Sequence, residues 1–149
     1  MTYDPTSPSS PEPDESSPVA DAMADAREAF NRSGFSTPTG MVALAAFVLI
    51  GVELIFNVIM SEYGIDWSLL ALALLAVIVY FGKGAYDRVA PVDALLKLVG
   101  MLIASLVAFH ILWDLRYADS NLDEIGDILG ALFVAGAGVL AFLGARAIK

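Results

Sequence analysis

The sequence predicts an all-α fold. It reads as an integral membrane four-helix bundle of two antiparallel hairpins, with both termini cytoplasmic and a disordered acidic N-terminal tail. Three observations predict it. Of the 149 residues, 58% are hydrophobic, and they fall in long blocks rather than in the short periodic runs of soluble domains. The charged residues lie almost wholly between those blocks. A bilayer core is crossed by about 20 apolar residues, each rising about 1.5 Å, and four blocks reach that length.

Residues 1–17 are rich in Pro, Ser, Asp and Glu and hold little to bury, the composition of a disordered segment. An acidic start with no apolar stretch behind it is unlike a signal peptide. Ser17-Pro18 then has the form of a helix start, a cap followed by proline at the first helical position. Within 18–33, Val19, Met23, Ala26 and Phe30 recur at helical spacing, while Asp21, Asp25 and Glu28 lie largely on other faces. That pattern predicts a short amphipathic helix on the inner membrane surface. A solvated helix is the alternative, because the polar face is acidic rather than basic.

The first span is expected over about 38–61, opened by a second cap-plus-proline pair, Thr37-Pro38. The connection 61–66 is short, so the next span, about 66–82, must return beside the first. Trp67 opens it at the interface, Tyr80-Phe81 anchor its far end, and Gly82-Lys83-Gly84 end it. No polar side chain interrupts 69–79, so that stretch tolerates lipid on any side. The third span, about 91–114, begins at Pro91 with Asp93 in its first turn, where the helix dipole favours an acid. The fourth, about 122–147, follows Asn121, which with Glu124 has the spacing of a capping box. Trp113, Tyr63 and Tyr117 read as further interface anchors.

Orientation follows from the basic residues near the span ends. Arg27, Arg32, Lys83, Arg88, Arg146 and Lys149 fall on one side in this topology, with Lys97 close to it; Arg116 alone falls on the other. The bias predicts both termini inside a cell (cytoplasmic) membrane. Phe56-Asn57 against Phe109-His110 hints at two duplicated hairpins related by an axis along the membrane normal. Helix ends attract aromatic and basic residues in any case.

Composition also bounds the chemistry. With no cysteine there is no disulfide, thiolate metal site or cysteine nucleophile, and the single histidine, His110, cannot form a two-His metal or haem site within one chain. A net charge of -9 argues against a nucleic-acid partner. No phosphate loop, nucleophile–base pair or metal-ligand spacing is present, so no catalytic residue, metal or cofactor is expected.

Glu53 is the sharpest polar signal. It lies near the middle of the first span, where an ionised carboxylate costs about 2.5–3.5 kcal/mol to insert. Asn57 stands one turn further on the same face and Ser61 another, while His110 and Asp114 are likewise four apart in the third span. Counting rise from each span's centre places Asn57 and His110 at similar depth. A cluster of Glu53, Asn57, His110 and Asp114 is therefore expected in the outer half of the bundle. It has two readings: a polar knot holding helices together, or a site where Glu53 exchanges a proton with His110 as relay.

The fourth span carries the association signal. Gly126 and Gly130 form a small-xxx-small pair, and Gly130, Ala137 and Gly144 recur at sevens. That face is expected to pack either within the bundle or against a second copy or another membrane protein. Lys97 is expected to snorkel and pair with Asp93. The function expected is a non-enzymatic scaffold, accessory or assembly subunit whose certain partner is the lipid bilayer. The alternative is a small oligomeric proton- or cation-coupled transporter or channel using Glu53 and His110.

Overall fold

The computed structural model describes residues 18–59, 65–88, 91–117 and 125–149. The expected disordered tail, Ser61, Tyr63, the Tyr117 side chain and the Asn121/Glu124 capping box lie outside the described residues. Those described are helical throughout apart from short connections, with no strand among them.

Helix α1, Pro18–Arg32, buries none of its residues. Glu28 and Arg32 pair along it at i,i+4. It stops where Gly34 takes a φ of 78°, a left-handed turn that glycine adopts without a Cβ penalty. Ser33 Oγ donates to Phe30 O at 2.7 Å, satisfying one of the end carbonyls. The chain then re-enters a helix at once. Thr37 Oγ1 accepts from Gly40 N at 3.1 Å and Pro38 occupies the first turn, so the cap read from sequence is the one used.

Helix α2 spans Pro38–Val52, and its winding then changes, with Glu53–Ile59 forming a π-helical continuation. An uninterrupted α-helix was the expectation. Each π turn takes in an extra residue, which re-aims the side chains beyond it. Helix α3, Trp67–Tyr86, starts at an Asp66 cap and runs past Gly82, where the sequence suggested an end. Lys83 in its last turn donates to Asp93 at 2.6 Å, tying it to the first turn of the next helix. Helices α4, Val92–Tyr117, and α5, Ile125–Ala147, complete the fold.

Four helices are long and apolar enough to cross a membrane, and most of each one's surface is turned outward. Helix α5 packs chiefly on α2 and α4, and α3 packs on those same two helices. The core is built largely of small and β-branched residues, including Val42, Ala46, Ala73, Ala76, Val99 and Ala141. Lipid is as apolar as leucine, so helices there associate by close packing rather than by escape from water. Two glycines show how close that packing is. A Cβ on Gly100 would stand 2.9 Å from both Ala145 Cβ and Val42 Cγ2, and one on Gly144 would stand 2.7 Å from Pro38 O. The start of α2 thus rests against the end of α5. At the same end Phe35 stacks on Tyr80 and meets Phe47, which lies edge-on to Phe81.

Candidate functional site

The polar site lies at the opposite end of the bundle from the contact between the start of α2 and the end of α5, where the π-helical segment, the start of α3 and the later part of α4 converge. Glu53 opens the π segment and is only 9% exposed. Asn57 Nδ2 donates to its carboxylate, along the helix, as the spacing suggested. The same Glu53 carboxyl faces the backbone N–H of Asp66. Asp66 Oδ2 in turn lies 3.7 Å from His110 Nδ1. Exposure rises along this series, from buried Glu53 to Asp66 at 24% and His110 at 51% of side-chain area.

Asp66 does two jobs. Its Oδ1 accepts from Ser68 N at 3.0 Å and from Leu69 N at 3.3 Å, capping α3, while the other oxygen meets His110. Burial works against its charged form. The hydrogen bonds from the Ser68 hydroxyl and from the Leu69 and Ser68 backbone outweigh that, with a smaller attraction from His110, and together hold the carboxyl below its ordinary value. Asn57 Oδ1 is buried with no hydrogen-bond partner. An acceptor left without a donor in a dry interior is costly.

The structure brings Glu53 and Asn57 together, while the ion-pair contact of His110 is with Asp66, which stands beside Glu53. Asp114 does not join them: it is exposed in the last turns of α4. Sequence reasoning missed Asp66. An acid directly before an apolar run is a helix-cap signal, and that signal marks the residue. Its contact with His110 depends on which helices are neighbours and has no local signature.

The small-residue face of α5 turns inward. Gly130, Ala137 and Gly144 are buried, Gly126 is partly buried, and Ala137, Ala141 and Ala145 lie in the core beside α2 and α4. What α5 leaves outside is a groove shared with α4. It has a volume of about 430 Å³ and is lined by Ala104, Ser105, Ala108, Ala135 and Gly138, with Val139 and Phe142 beside them. Ser105 Oγ donates to Met101 O at 2.8 Å, so its hydroxyl is satisfied within its own helix.

Lys97 departs from expectation. It donates to Ile148 O at 2.9 Å, while Asp93 takes Lys83 instead. The last carbonyls of a helix have no partner along the helix and carry its negative dipole end, so they draw a nearby cation. Lys97 stands beside the end of α5 and caps it.

Among the described residues, no group of three or more His, Asp or Glu side chains is arranged to hold a metal ion. Comparison with protein families, characterised proteins and solved structures found no match.

Proposed function

We propose that the chain is a non-enzymatic assembly protein of the cytoplasmic membrane, inserted as two antiparallel hairpins with both termini inside, and associating with a second copy of itself. The distribution of basic residues supports the orientation. Arg27, Arg32, Lys83, Arg88, Arg146 and Lys149 flank one set of span ends, and Arg116 alone flanks the other.

One observation carries the association. The groove between α4 and α5 has a floor of small residues, the surface on which membrane helices approach closely. On that same surface stand exposed knobs, Val139 at 60% and Phe142 at 43%. A two-fold symmetric contact sets one surface against itself, so hollow and knob must stand on the same patch, as they do here. The inward stripe of α5 builds the monomer, and its outer edge is left for the second copy.

The chain has no cysteine, so a single introduced thiol reports one position cleanly. Ala135→Cys in native membranes should yield a covalent dimer with a short bifunctional thiol reagent. Adding Ala108→Leu, which fills the groove from an exposed position, should abolish the product. Leu74→Cys on the outer face of α3 should give none. A monomeric Ala135→Cys protein, or a product indifferent to Ala108→Leu, refutes the assignment.

A further inference from the structure

Two carboxyls and one imidazole meet where α2, α3 and α4 converge, and the charges do not balance. The Glu53 carboxyl sits against the Asp66 backbone N–H while the Asp66 carboxylate turns to His110, so two acids meet at one point where, among the described residues, the imidazole is the basic group beside them. Among the described residues, the other charged groups on the packed elements stand further along them. Asp114 and Arg116 follow His110 in the last turns of α4, and Asp127 lies in the first turn of α5. A proton is the smallest ligand that addresses this arrangement, and half-exposed His110 gives it a way in. Imidazole is the side chain that changes charge between about pH 5 and 8.

We propose that Glu53, Asp66 and His110 form one proton-binding site, loaded through His110, whose occupation fastens α4 to α3 and α2. The proton adds to the imidazole, and the 3.7 Å contact with Asp66 becomes an ion pair. Asp66 is also the cap of α3, and its backbone N–H faces Glu53, so the pair ties three helices at one point. Groups this close titrate as a set rather than singly. The π-helical winding that begins at Glu53 is the segment on which the tie pulls, and π turns inside helices are frequent at functional sites. Glu53, Asp66 and His110 are not among the residues that line the α4–α5 groove, so the site is tested separately from self-association.

The protein carries its own reporters. Its two tryptophans, Trp67 and Trp113, flank the cluster, the first directly after Asp66 and the second three residues after His110. Trp113→Phe leaves Trp67 to report the start of α3 alone. In the full chain held in a nanodisc, Trp67 emission followed against buffer pH should show a transition between about pH 5 and 8. That transition should vanish with His110→Gln. It should also vanish with Asp66→Asn, in which asparagine keeps the helix cap, so a folded control is available. Glu53→Gln should move the midpoint to lower pH by removing a negative neighbour. Emission independent of pH, or a transition that survives His110→Gln or Asp66→Asn in a folded protein, overturns the site. An unmoved midpoint in Glu53→Gln overturns the inclusion of Glu53.

Discussion

Adding one methyl group to α5 should have opposite effects at two glycines eight residues apart. At Gly136, a Cβ meets nothing within 4 Å. Gly136→Ala therefore brings only the gain in helix propensity, about 1 kcal/mol on scales from soluble helices. At Gly144 the same Cβ would lie 2.7 Å from Pro38 O, 2.9 Å from Met41 Cβ and 3.1 Å from Val42 Cγ2. The first of these is backbone at the start of a helix and cannot rotate aside, so α2 and α5 must separate. Overpacking of this kind costs about 1–3 kcal/mol, and the propensity gain offsets about 1 kcal/mol of it. Gly144→Ala should therefore be neutral to destabilising by about 2 kcal/mol, while Gly136→Ala stabilises by up to about 1 kcal/mol. The difference between the two removes the common propensity contribution and leaves the steric one, about 1–3 kcal/mol. Equilibrium unfolding in mixed micelles with increasing sodium dodecyl sulfate, followed by circular dichroism, measures both. Equal midpoints for the two variants would refute the claim that α2 and α5 touch at Gly144.

Two further outcomes follow from the same geometry. The folded Asp66 carboxyl is held below its ordinary value of 3.8, so its contribution to stability is complete above that value and is lost as pH falls through the depressed one. Acid titration of stability should show this loss in the native chain and not in Asp66→Asn; identical acid profiles would count against the hydrogen bonding described at Asp66. Lys97→Met removes the donor to Ile148 O, so hydrogen exchange over residues 145–149 should speed up while α4 itself stays protected. Unchanged exchange at that end would show that Lys97 does not hold it.

Several features were legible in the chain because they depend on local physics. Four apolar blocks of bilayer length are a matter of transfer energy summed along the sequence, and four spanning-length helices are present. Thr37-Pro38 is likewise local: a hydroxyl and a proline within four residues of the donor they serve. In the π-helical continuation of α2, Glu53 and Asn57 are four apart along one face, and they meet.

Everything that depended on which helices are neighbours was decided by the tertiary structure. His110 finds Asp66 rather than Glu53 or Asn57, because the start of α3 lies between α2 and α4 at that end. Lys97 finds the end of α5 rather than Asp93, because unpaired carbonyls lie beside it and Lys83 occupies the acid. The change to π winding at Glu53 has no composition signal, since it re-aims a helix toward partners the sequence does not name. The glycines and alanines of α5 showed that something packs closely there. Only the assembled bundle shows that the inner stripe meets α2 and α4 and that the outer edge forms a groove. The sequence by itself determined which segments are long and apolar enough to leave water, because transfer into lipid is a property of a segment. The tertiary structure decided which side chains satisfy one another, because a contact is a property of a pair.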